Sequence, residues 1–70
     1  MSVRKGSEVS WTWGSGIANG KVVEVHQDKV TRTLGGSEIT RNGRDDDPAL
    51  LIEQEDGSRL LKLRSEVDRA

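Results

Sequence analysis

Residues 8–27, Glu8-Val9-Ser10-Trp11-Thr12-Trp13-Gly14-Ser15-Gly16-Ile17-Ala18-Asn19-Gly20-Lys21-Val22-Val23-Glu24-Val25-His26-Gln27, decide the fold class. Val9, Trp11 and Trp13 fall on one side at a period of two, with Ser10 and Thr12 on the other, which is how a half-buried strand is written. The spacing predicts a first strand over Glu8 to Trp13. Gly14 to Asn19 reads as a flexible loop, and the β-branched Val22, Val23 and Val25 restart an extended segment over about Gly20 to Gln27. Val23 and Val25 are expected to face inward, with Val22, Glu24 and His26 on the other side. Asn19-Gly20 closes the loop either as a bulge or as a tight hairpin turn. Trp11 and Trp13 share one strand face, so at least one of them belongs in the core.

Outward from this stretch, Met1 to Gly6 carries two adjacent cations and no apolar spacing, and is expected to be a loose terminus. Downstream, Val30 to Leu34 and Ser37 to Arg41 are alternating β-branched segments around Gly35-Gly36. They read as two strands of a hairpin or as one strand broken by a glycine bulge. Asn42 to Pro48 is a polar loop in which Pro48 keeps Asp47 extended. Ala49 to Glu55 has too many consecutive apolar residues for a half-exposed edge and is expected to be the central, best-buried strand. Asp56-Gly57-Ser58 turns the chain into Arg59 to Leu63, its hairpin partner. Ser65 is placed to cap a short helical turn, with Val67 closing one end of the core. The expected core draws on Val9, Trp11, Val23, Val25, Ile39, Leu51, Leu61 and Leu63. A helix over Pro48 to Ala70 is disfavoured because Asp56-Gly57-Ser58 splits it into two pieces too short to stand alone.

Seventy residues bury only about 60% of the surface exposed by the unfolded chain, so the core is thin. The chain has 31% hydrophobic residues and no cysteine, so neither disulfides nor zinc-thiolate sites supplement packing. Eleven basic residues face twelve acidic ones; this balance argues against disorder and removes the electrostatic footprint of a general nucleic-acid binder. The polar start and the lack of any long apolar run point to a soluble cytoplasmic protein with no membrane contact. Short strands with frequent turns predict an all-β domain over residues 1–70, ordered from about 5 to 67, that closes wholly or partly into a small barrel.

Several motifs carry a resemblance: Lys5-Gly6, Val9-Ser10-Trp11, Trp13-Gly14, Gly16, Ala18 and Gly20-Lys21-Val22, then Thr40-Arg41-Asn42-Gly43 and Asp46-Asp47-Pro48-Ala49, then Leu51-Ile52, Asp56-Gly57, Leu61-Lys62 and Ser65-Glu66. Taken together they resemble the hypervirulence-associated protein Tudor-domain family over about residues 5 to 67. The resemblance implies an SH3-like barrel of the Tudor type with five or six short antiparallel strands. It brings no catalytic residue with it. Tudor-like folds often read methylated lysine or arginine through an aromatic cage, but Trp11 and Trp13 supply too few rings for one.

Candidate chemistry is sparse. His26 is the one imidazole, lies on the expected outer strand side and has no nucleophile motif around it, so the chain is not expected to be an enzyme. Asp45-Asp46-Asp47 lacks the alternate spacing and terminal glutamate of a calcium loop, and no cofactor is expected. The favoured function is a monomeric interaction module that binds a protein segment through the loops at one end of the barrel. The resemblance implies that the loop after strand one and the loop before the Ala49 strand share that end. Trp13 with Asp45 and Asp46 would then contact a basic segment, while Arg44 restrains the acidity of the loop. The alternative is a nucleic-acid contact through Lys21, Lys29, Arg32, Arg41 and Arg44 with Trp13 stacking on a base. Since no structural metal is expected, EDTA should leave the melting temperature unchanged in a thermal denaturation scan. A large drop reversed by one specific ion contradicts this.

Overall fold

A computed structural model describes residues 3–70. Seven strands follow in order: β1 (Glu8–Trp13), β2 (Gly16–His26), β3 (Lys29–Leu34), β4 (Ser37–Asn42), β5 (Ala49–Glu53), β6 (Arg59–Leu63) and, after a 3-10 turn at Arg64–Glu66, the two-residue β7 (Asp68–Arg69). They form an antiparallel five-stranded sheet in the order β6-β5-β2-β1-β7 and an antiparallel β3-β4 hairpin. This is the expected all-β, SH3-like arrangement. The 3-10 turn is the only helical piece among the described residues.

Ala49-Leu50-Leu51-Ile52 explains the layering. All four are buried, and alternation sends them to opposite sides. Leu50 and Ile52 join Val3, Val9, Trp11, Val22 and Val67 in one cluster; Ala49 and Leu51 join Val30 and Leu61 in a second, against which Leu34 and Ile39 of the β3-β4 hairpin pack. β5 is therefore apolar on both faces because it is covered on both. It is the best-buried strand as expected, but the centre of the five-strand order belongs to β2.

β2 departs most from the sequence reading. Its pairing with β5 shifts register between Val22 and Glu24, so Val23 is an extra residue in a bulge. Val22 becomes fully buried, and Val25 packs with it on the first cluster while Val23 packs on the second. The expected split, with Val23 and Val25 inward and Val22 outward, fails because a bulge reverses the parity on which period-two reading depends.

Gly14 to Asn19 is not a loop. The chain reverses at Gly14-Ser15, with φ +56° at Gly14 and no positive φ at Ser15, and β2 begins at Gly16 opposite Trp13. A glycine at the first central position suits a type II′ hairpin turn. Asn19-Gly20 forms neither bulge nor turn but lies within β2. A Cβ at Gly20 would sit 3.0 Å from the Glu53 carbonyl oxygen and 3.3 Å from the Trp11 ring, and would collide with Ile52. Gly20 is there for close approach. Gly35-Gly36, both at positive φ, is the expected two-residue hairpin turn between separate strands.

The expected loose terminus is anchored at Val3 and Gly6, with Arg4 and Lys5 exposed between them. Val3 is buried, and Gly6 N–H donates to the Val22 carbonyl at 2.8 Å. Met1 and Ser2 lie outside the described residues. Ser65 lies within the 3-10 turn rather than at its cap, which is Leu63. Val67 is buried as expected.

Leu51, only 2% exposed, tests the two-sided strand: Leu51→Ala should cost about 2–5 kcal/mol in chemical denaturation, a large share of the stability of a domain this size. Gly43 tests the backbone packing, since an added Cβ would meet the Ala49 nitrogen at 2.8 Å and the Asp28 carbonyl oxygen at 2.9 Å, and would overlap the His26 carbonyl. Gly43→Ala should destabilise by about 1–3 kcal/mol, and an unchanged midpoint would refute the close approach.

Candidate functional site

The β1-β2 hairpin reaches past its neighbours. β7 pairs with β1 only at Val9 and Ser10, so no described strand borders the outer edge of Trp11-Thr12-Trp13. Trp13 stands opposite Gly16, which has no side chain to cover the indole, and it is 73% exposed. Ile17, opposite Thr12 and therefore on the other hairpin face, is 74% exposed. Trp11 on the Trp13 face is buried. Of the two tryptophans, one is core and one is free.

Trp11, Trp13 and Ala18 form one wall of an open groove of about 470 Å³, closed on the other side by Gln54, Leu60 and Lys62. The Lys62 Nζ lies 5.9 Å from the centroid of the Trp11 ring, within reach of a cation–π attraction. Lys62 makes no ion pair with a described residue. The groove is thus apolar with one cation on its rim.

The predicted partner-contact residues are not assembled. Trp13 lies at the Gly16 end of β2, whereas Ala49, which follows the aspartate loop, pairs with His26 at the other end. Asp45 and Asp46 line a separate cleft with Val3, Val25, Gln27, Pro48 and Arg64. The long β2 strand holds the two loops apart. Within the aspartate loop, Arg44 and Asp47 exchange backbone hydrogen bonds of 3.0 and 3.2 Å, leaving Arg44, Asp45 and Asp46 exposed at a tight turn. Asp47 has a structural part: both its oxygens accept from Ser65, one from the backbone N–H and one from Oγ, each at 2.8 Å.

The five cations of the nucleic-acid alternative are dispersed, and three of them face carboxylates. Arg32 donates to Glu24 at 2.6 Å, and Arg41 lies 3.7 Å from Glu66. Lys21 stands in register between Glu8 and Glu53, with Arg59 beyond Glu53 at 3.1 Å, so four adjacent strands carry a row of alternating charge. Lys29 and Arg44 lie toward the His26 end, away from Trp13.

His26 and Arg32 converge on Glu24, with His26 Nε2 2.7 Å from the carboxylate. Hydrogen bonding from His26, then from Arg32, holds the Glu24 carboxyl below its ordinary value of 4.5. No serine or threonine hydroxyl bonds to His26 among the described residues, so this cluster lacks a nucleophile to activate.

The sequence matches the model of the hypervirulence-associated proteins Tudor domain over residues 6–67, nearly the whole chain. The chain belongs to that family. Comparison with curated proteins and with solved structures gives no match, so the assignment rests on this match and on the all-β fold that agrees with it. Tudor-type domains are small binding modules and are generally non-catalytic. Among the described residues of this Tudor domain, no helix is long and apolar enough to cross a membrane, and no three potential ligands are grouped to hold a metal.

A depressed carboxyl stabilises the folded state fully above its free value and loses that contribution as pH falls through the folded value. The melting-temperature gap between wild type and Glu24→Gln should therefore narrow as pH drops below 4.5. A gap that widens as pH falls below 4.5 contradicts the Glu24 cluster.

Proposed function

We propose that this Tudor domain is a non-catalytic module that binds a segment of a partner protein at the Trp13 end of the barrel. The exposed Trp13 indole, lying beside an apolar groove floored by the buried Trp11, carries the reading. An indole left in water represents substantial apolar area whose burial favours association, and tryptophan is among the residues that most often dominate binding energy at protein interfaces. The reading keeps Trp13 from the sequence expectation but sets it with Ala18, Leu60, Gln54 and Lys62, which line the groove with it, rather than with the aspartates.

A protein partner suits the groove better than nucleic acid. Base stacking on Trp13 would need neighbouring cations to hold phosphates, and Lys62 is the single cation there.

Affinity capture from an extract of the source cells, with protein and nucleic acid identified separately, tests this. Wild type should retain a protein that Trp13→Ala loses and that Asp45→Asn with Asp46→Asn keeps. Retention should persist after nuclease treatment and change little as salt rises. Equal retention by Trp13→Ala sinks the proposal.

A further inference from the structure

Lys62 gives the groove a sign. Its neighbours in the lining are Trp11, Trp13, Ala18, Leu60 and the uncharged Gln54, so the groove offers one ammonium and no carboxylate. Glu55 and Asp56 line a neighbouring cleft with Asn19 and Gln54 and are not among the groove's lining residues. Glu8 and Glu53 share the outer-face row with Lys21, and alternation puts that row on the opposite side of the sheet from Trp11 and Leu60. Lys62 is set on the groove side by its register opposite Leu50, which belongs to the same cluster as Trp11. Its stem lies along apolar surface, its ammonium lies over the Trp11 ring, and it has no carboxylate partner among the described residues.

A second feature defines the shape of the occupant. The edge of β1 is paired by β7 only at Val9 and Ser10, which leaves the edge at Trp11-Thr12-Trp13 without a strand neighbour. An extended segment laid there gains main-chain hydrogen bonds, and every second side chain points to the face that carries Trp11 and Trp13.

We infer that the groove takes an extended acidic-apolar segment of a partner protein: an apolar side chain packs between Trp13 and Leu60, and an aspartate or glutamate of the same segment pairs with Lys62. This rests on the docking reading above and fixes the chemistry of its partner. It reverses the basic segment expected from the sequence, because the aspartates meant to attract one line another cleft. A carboxylate meeting Lys62 forms a charge-assisted hydrogen bond at a half-covered site, where each tenfold of discrimination corresponds to about 1.4 kcal/mol.

A phage-displayed library of random dodecamers is selected against wild type, Lys62→Glu, Lys62→Gln, Trp13→Ala and Ile17→Ser, each first shown to melt cooperatively. Wild type should enrich large apolar residues flanked by Asp or Glu. Lys62→Glu should exchange this for Lys or Arg beside the same apolar residue, and Lys62→Gln should keep the apolar preference without a charge preference. Trp13→Ala should enrich nothing, while Ile17→Ser, altered on the opposite hairpin face, should select as wild type does. An enriched peptide should bind wild type at least about tenfold more tightly than its Glu-to-Lys version, and should shift the amides of residues 11–13 and 60–62. Absence of enrichment, a basic preference in wild type, or an unchanged preference in Lys62→Glu overturns the inference. Stronger shifts of Trp13 and Lys62 by a single-stranded oligonucleotide than by any enriched peptide also overturn it, in favour of nucleic acid. If Trp13→Ala still loses the captured cellular protein while no acidic preference is found, docking at Trp13 stands and only the partner chemistry fails.

Discussion

Everything else in this molecule is arranged around the burial of β5 on both faces. A chain of seventy residues has little apolar material, and it places four consecutive apolar residues where two separate clusters can use them. Fully burying a leucine or isoleucine contributes about 1.5–3 kcal/mol, against about 0–1 kcal/mol for an exposed ion pair. Leu50, Leu51 and Ile52 therefore outweigh surface ion pairs such as Glu24 with Arg32 and Glu53 with Arg59. One strand serves as the shared wall of two thin cores, which is how so small a barrel closes without a disulfide to staple it.

The strands that sequence pattern located well are those whose signals are local. β1, the Gly35-Gly36 hairpin and the β5-β6 hairpin each announce themselves through alternation bounded by turn residues, and residues 8–13 were legible to the residue. What escaped depends on partners distant in sequence. The Val22-Val23-Glu24 bulge is invisible to a periodicity argument, because an extra residue and an ordinary step look alike until the opposite strand is known. Gly14 and Gly20 show the same ambiguity: one supplies a positive φ and the other a missing Cβ, and the letter does not say which. Which tryptophan is exposed was not legible, nor was the groove beside it, since Gln54, Leu60 and Lys62 come near Trp13 only through the β2-β5-β6 pairing.

The charges show why composition alone is a poor guide to partners. A third of the residues are charged, and several of them meet in pairs: Glu24 with His26 and Arg32, Arg41 with Glu66, and the row from Glu8 to Arg59. The pairings leave little field to steer a polyanion and fix strand register instead. Against this neutral background, what sets Lys62 apart is its place, in a groove shared with two indole rings and no carboxylate.

The closure between β1 and β7 has a consequence for how such a domain sits in a larger architecture. Val3 and Val67 pack in one cluster, and the Ala70 N–H donates to the Glu8 carbonyl at 3.0 Å. The chain thus enters and leaves the barrel side by side. A fold with neighbouring entry and exit behaves as a cassette: it drops into a surface loop of a host protein, or strings into tandem copies, without stretching either flank. Its groove, lying at the Gly14-Ser15 turn and built from residues well inside the chain, would keep its shape in either setting.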